Sequence, residues 1–194
     1  KCGRETRKSF AQGYCYPCFT SAPETEECVL RPELCRAHEG IARDMEFAEK
    51  NCLTEQVVYL SLTSGIKVGV TRSHQVPTRW IDQGAVQALP IIKVSNRLLS
   101  GRAEVLFKQQ VSDRTDWRRM LSGEPDPVDL MAQRDTLVGE LQNELEQLID
   151  SEQGDCVELL TEHRNNLACF SLVLVGRFFQ AHHVDGPLRQ LAGK

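Results

Sequence analysis

Six of the eight cysteines of this chain fall within its first 52 residues, at Cys2, Cys15, Cys18, Cys28, Cys35 and Cys52. Twelve residues separate Cys2 from Cys15 and two separate Cys15 from Cys18, which is the spacer and second knuckle of a zinc ribbon. Its missing fourth ligand would fall just before Lys1. Two thiolates on one tight turn present both sulfurs to a single Zn²⁺, and Gly3 and Gly13 suit such turns. Cys28, Cys35, His38 and Cys52 offer a second, Cys₃His set, although Cys28 or a water could instead complete the first. One or two zinc ions are therefore expected. A closed set of four protein ligands leaves no open position for substrate, so the role would be structural. The alternative is that these are reduced cysteines packing as small hydrophobes, which is the simpler reading for the isolated Cys156 and Cys169.

Around this cluster stand 194 residues with a net charge of -4 and 41% hydrophobic content, enough for one domain plus an appendage. The longest apolar stretch, Cys169 to Val175, is far short of a membrane span, so no membrane association is expected. The chain begins at Lys1 without a basic-then-apolar leader, which suggests a fragment or trimmed product of a cytoplasmic protein. Charge is unevenly placed. Residues 66–120 carry ten Lys or Arg against four Asp or Glu, whereas residues 122–162 carry one Arg against twelve acids. The opposition fits either a phosphate-facing surface or an internal pairing of the two stretches.

Three segments follow from the patterning. Residues 1–55 lack hydrophobic periodicity and read as a metal-stapled segment that cannot build a core alone. Residues 56–122 read as an α/β module. QVVYLSL and IKVGVT are strands joined by Thr63-Ser64-Gly65, a helix starts at Pro77-Thr78 and runs through RWIDQGAVQAL, and IIKV after Pro90 is a third strand. Leu98 to Val111 is an amphipathic helix despite Gly101, and Thr115 to Leu121 is a further helical stretch. Residues 123–194 form an acidic extension in which Leu130, Leu137, Leu141, Leu145 and Leu148 fall at helical spacing, with a strand-like SLVLVGRFF beyond it. The expected class is α+β: a small three-stranded mixed sheet with packed helices, a zinc-stabilised N-terminus and a helical C-terminal extension.

The hairpin VVYLSLTSGIKVGVTR resembles the paired motifs of the GIY-YIG nuclease superfamily, with Val57-Val58-Tyr59 in the place of GIY and Lys67-Val68-Gly69 in the place of YIG. Arg79 and Glu104 match the arginine and metal-binding glutamate of that superfamily in order. Asp116 stands where asparagine is usual. The span from Cys2 to about Leu121, through CGRETRKSFAQGYCYPCF, SGIKVGVTR and PTRWIDQGA, is similar to a family of uncharacterised bacterial proteins that join a cysteine-rich N-terminus to this module.

The resemblance implies Mg²⁺-dependent cleavage of a phosphodiester. Tyr59 would help activate water, Glu104 would hold Mg²⁺, Arg79 would contact the phosphate, and Lys67 would replace the second tyrosine. An ammonium is a poor general base unless its pKa is depressed. Taken singly, Tyr59 is by default a core aromatic, Arg79 a solvated residue and Glu104 a surface carboxylate, with Trp80 and Trp117 as core and His74 and His182-His183 as surface residues. The sequence thus suggests a zinc-containing nucleic-acid-binding protein with endonuclease chemistry, with Arg97, Arg102 and Lys108 adding phosphate contacts. The competing reading is a non-catalytic interaction protein that docks protein partners through the zinc unit and the acidic helix.

Overall fold

Gln56–Leu62 forms β1, and all seven of its residues are buried. A strand buried on both faces reads as a continuous apolar run rather than an alternation, which is why QVVYLSL lacks a clear period of two. The computed structural model describes residues 1–11, 13–111, 118, 128–151, 157–160, 170–175 and 178–183. In it β1 is flanked by β2 (Ile66–Arg72) and β3 (Gln87–Val94), both antiparallel to it.

The expected mixed sheet is corrected by these pairings. The connection from β2 to β3 crosses over β1, so these two parallel strands are not neighbours, and among the described residues every strand pairing is antiparallel. The sheet also grows beyond three strands. β4 (Val157–Leu159) pairs with Ile92–Val94, β5 (Phe170–Val175) pairs with Gln87–Ala88, and β6 (Phe178–His183) forms a hairpin with β5. Pro90 lies inside β3 rather than before it, between the stretches paired to β5 and β4 and beside a register shift in the β1 pairing. A residue without an N–H is tolerated at such an irregularity.

Two short helices lie in the cysteine-rich segment, α1 (Tyr16–Ser21) and α2 (Met45–Asn51), linked by single 3-10 turns. The helix expected over RWIDQGAVQAL is only Thr78–Asp82 (α3). It stops because Gly84 takes a left-handed φ of 66°, and Gln87 to Leu89 already belong to β3. α4 (Arg97–Lys108) is capped by the Asn96 side chain, which accepts from Leu99 N–H at 3.0 Å. The acidic stretch is two helices, α5 (Leu130–Glu140) and α6 (Gln142–Ser151), with Leu141 at the break. The helical stretch expected at Thr115 to Leu121, with Asp116 and Trp117, falls outside the described residues apart from position 118.

The two faces of β1 serve different layers. Val58 and Leu60 join Leu99, Ala103 and Phe107 of α4, the four leucines of α5 and α6, and Leu141 between them in the main core. Val57 and Tyr59 face the other way and pack with Trp80 and Ala85 beneath α3. The acidic helices are therefore built into the domain by their apolar sides. Each buried leucine contributes about 1.5–3 kcal/mol, so they are structural members rather than a detachable arm. Among the described residues no helix is long and apolar enough to cross a membrane.

The cysteine-rich segment is docked on α4 with unusual closeness. A Cβ on Gly101 would lie 2.1 Å from the Glu33 nitrogen and 2.4 Å from the Pro32 carbonyl carbon. The glycine that weakens the helix pattern is the point where two backbones touch.

Candidate metal centres and the adjoining basic cleft

The sulfurs of Cys2, Cys15 and Cys18 lie within 4.8 Å of one another, with Cys2 and Cys15 Sγ 3.6 Å apart. A small hairpin brings them there: Phe10 and Tyr14 exchange backbone hydrogen bonds at 2.8 Å around a turn with Ala11 and Gly13 at positive φ. The chain then enters α1 with Cys15 at its N-cap and Cys18 in its first turn. The Arg4 backbone N–H and the thiols of Cys18 and Cys15 hold the Cys2 thiol down to about 7, while the same partnership pushes Cys18 up. Such mutual stabilisation of a thiolate is what a metal would exploit further.

Cys28, Cys35 and Cys52 form a second set with the same mutual reach, and all three are buried. Hydrogen bonds from Cys28 and Cys52, then the Ala37 N–H and the Arg97 charge, hold Cys35 far below the usual thiol range, and both partners are raised in consequence. One thiolate shared by two thiols is an arrangement in which a metal ion can replace the protons. His38 is not part of this set. Its Nε2 lies 3.6 Å from Glu39 Oε1 and its side chain is 40% exposed. A cavity of about 150 Å³, lined by all three cysteines, adjoins the sulfurs.

Arg97 welds this second set to the sheet. Its backbone N–H donates to Cys52 O at 2.8 Å, its Nε to Cys28 O at 2.7 Å and its Nη2 to Val29 O at 2.9 Å. As the first residue of α4 it fixes where that helix begins relative to the cysteines. Val29, Leu30 and Pro32, on the loop between Cys28 and Cys35, in turn wall a cavity of about 260 Å³.

Into that cavity the structure brings Lys67 from β2, Arg79 from α3 and Glu104 from α4. Tyr59 lies behind it on β1, fully buried, and connects to it through Gln83. The Gln83 amide is 2.8 Å from the Tyr59 hydroxyl. With the amide nitrogen donating to that oxygen, its carbonyl accepts from Arg79 Nε and Nη2 at 3.2 Å each. Burial pushes the Tyr59 phenol up to about 12; Arg79 counters this and Glu104 adds to it. Lys67 is shifted down by burial and by the Arg79 charge. Glu104 is itself buried and pairs with Lys108 at 3.2 Å.

The four residues singled out from the motif are thus neighbours, although Tyr59 and Glu104 belong to layers on opposite sides of the sheet. Gln83 was not legible as a site residue, because nothing in TRWIDQG marks a linking amide. Arg97, expected at a phosphate, instead donates its guanidinium N–H groups to the carbonyls of the cysteine loop. Trp80 is core, at 1% exposed. His74 lines a second cavity of about 430 Å³ that shares Val29, Val70, Arg79 and Arg97 with the first. None of the described residues of the acidic helices lines either cavity.

No curated protein and no solved structure matches the chain at a significant level. A family model does match, over residues 1–172, which takes in both cysteine sets, the cleft and the acidic helices. The chain belongs to the family described as Protein of unknown function (DUF2797).

Proposed function

We propose that this protein is a zinc-stabilised, Mg²⁺-dependent phosphodiesterase that binds and cleaves nucleic acid, akin to the GIY-YIG nucleases its hairpin resembles. The observation that carries the reading is the convergence of Lys67, Arg79 and Glu104 on one cavity from three separate elements, with Tyr59 tied in through Gln83. Charged side chains drawn from separate elements to one cavity, two of them buried, are a signature of a functional site.

Hydrolysis needs a water oxygen to bond to phosphorus while the bond from phosphorus to the leaving sugar oxygen breaks. Lys67 takes the proton of the attacking water, a role its downward shift favours. Arg79 forks onto two phosphoryl oxygens, pre-oriented by Gln83. Tyr59 stays neutral, because burial keeps its proton on, and acts as a hydrogen-bonding group rather than a base. Glu104 would hold Mg²⁺ through a hard carboxylate oxygen, and that ion would supply charge neutralisation at the phosphoryl group. The leaving alkoxide takes its proton from solvent.

Zinc in the two cysteine sets is the structural part of this reading, since thiolate-rich tetrahedral sites favour that ion. His38, three residues beyond Cys35, is the candidate fourth ligand of the second set, although its Nε2 stands against Glu39 and it does not line the cavity beside the sulfurs. The alternative protein-docking role for the acidic helices has less support, because their leucines are committed to the core.

The test is cleavage of supercoiled plasmid, single-stranded DNA and structured RNA by zinc-loaded protein with Mg²⁺, beside Glu104→Ala. Cleavage that disappears in the variant is the expected result. No cleavage of any substrate with any divalent metal would overturn the hydrolytic reading.

A further inference from the structure

Beyond the reacting centre, three arginines line the cleft under an unusual condition. Arg72 donates to Gln75 Oε1 at 3.0 Å and to Asn51 Oδ1. Arg79 donates to the Gln83 amide oxygen, and Arg97 to two backbone carbonyls. All three line the 430 Å³ cavity, and among the described residues each is held by neutral oxygens rather than by a carboxylate. An arginine positioned by neutral oxygens keeps its charge and its orientation. Burial and the nearby Arg97 oppose the charge on Arg72, while Cys52 favours it.

Charge along the joined cavities points the same way. Together they present Lys67, Arg72, Arg79, Arg97 and Lys108 against Glu24, Asp82 and Glu104, within a chain of net charge -4. Glu24 is engaged by Lys1 from outside the cavities, while Glu104 and Lys108 offset each other. A lone phosphate would fill only one cavity, whereas Arg79 and Arg97 belong to both.

We infer that the 430 Å³ cavity is a second phosphate subsite, in which Arg72 and His74 hold the backbone phosphate next to the one bound at Arg79, so that the ligand is a polynucleotide strand rather than a mononucleotide. The inference rests on the nucleic-acid reading above but not on turnover. Arg79 is the shared clamp, and the strand runs from the Glu104 end of the cleft past β2 to His74.

Binding of a fluorescent single-stranded 12-nucleotide DNA and of the matching RNA, measured by anisotropy in Ca²⁺ across a salt series, tests it. Arg72→Gln is expected to weaken binding several-fold and to reduce the slope of log K against log salt by about 0.7, one phosphate contact on a single strand. Arg72→Lys should recover most of the salt slope. Since Arg72 also braces Asn51, His74→Glu provides an independent check: it places a negative charge in the cavity without touching those hydrogen bonds, and should weaken binding at least as much. Unchanged affinity and slope in folded Arg72→Gln, or unchanged affinity in His74→Glu, would overturn the subsite. Failure of the wild-type protein to bind either strand would overturn it together with the nucleic-acid reading. A strand bound in this way but never cut would sink only the hydrolysis.

Discussion

Tyr59 on β1 and Gly69 on β2 are direct cross-strand partners, and the phenol lies over the glycine. A Cβ at position 69 would stand 2.9 Å from Tyr59 Oη and 3.0 Å from Cζ, closer than carbon and ring atoms approach. The ring cannot easily yield, being buried against Trp80 with centroids 5.7 Å apart. Gly69→Ala is therefore expected to destabilise the fold by about 1–3 kcal/mol and to break the link to Gln83. Chemical denaturation measures the loss, and the cost should be smaller in a Tyr59→Phe background, where the nearest atom is gone. Equal costs in both backgrounds would mean the two residues are not coupled.

Gly101 makes the opposite case to ordinary helix propensity. Alanine in mid-helix normally gains about 1 kcal/mol over glycine. Here the added Cβ would meet the backbone of Pro32 and Glu33, so Gly101→Ala should lose about 2 kcal/mol or more instead. It should also free the loop between Cys28 and Cys35, read as increased proteolysis near Pro32. A stabilised variant would contradict the docking of the two segments.

One zinc per cysteine set is expected by elemental analysis. Cys18→Ser should lose one and Cys35→Ser the other. Thermal unfolding separates the two sites: the second set is tied to α4 through Arg97, so Cys35→Ser should lower the midpoint more than Cys18→Ser. Cobalt substitution tests the fourth ligand, since His38→Ala should alter the spectrum of the second site alone. A variant at Cys18 or Cys35 that retains both ions would refute the assignment.

Tyr59 makes stability sensitive to alkali. Its phenol rises from 10.0 to about 12 on folding, so as pH climbs the unfolded chain gives up this proton first. The folded state then holds more protons between about pH 10 and 12. Stability from this group is complete below pH 10 and declines through that window, by roughly 2–3 kcal/mol in all. Tyr59→Phe should remove this part of the decline in denaturation curves, as well as the last-ionising component of the phenolate absorbance.

Lys67 gives cleavage a pH dependence of defined sign. As a base it works unprotonated, and its downward shift moves the rise in rate below 10.5, the ordinary lysine value. Arg79→Gln removes one cause of that shift while leaving burial, so in any residual activity the rise should move to higher pH. Lys67→Arg, which cannot shed its proton near neutral pH, should abolish cleavage. A pH–rate profile unaffected at both positions would exclude Lys67 as the base.

Much of this architecture was open to local reading. The hairpin strands, the amphipathic face of α4 and the five leucines of the acidic stretch all follow from periodicity, because burial demands one apolar face whatever the surroundings. The early end of α3 was not legible, since Gly84 in a left-handed conformation looks like any tolerated glycine. Nor was the fate of the acidic helices. Charge left open a phosphate-facing surface or a pairing of the acidic stretch with the basic module, and it could not show that the leucines of that stretch complete the main core, where several buried apolar side chains outweigh screened attraction between surface charges.

By itself the sequence determined the two groups of cysteines, the antiparallel hairpin and the order of Tyr59, Lys67, Arg79 and Glu104, since residue type and short spacing are local properties of the chain. Tertiary structure alone decided that Lys67, Arg79 and Glu104 meet at one cleft, that Gln83 links the Tyr59 phenol to the Arg79 guanidinium, and that His38 lies outside the second cysteine set. It also decided that Arg97 ties that set to the cleft wall. Contacts of this kind depend on residues tens of positions apart being brought within a few ångströms, and that proximity comes only from the packing of helices against the sheet.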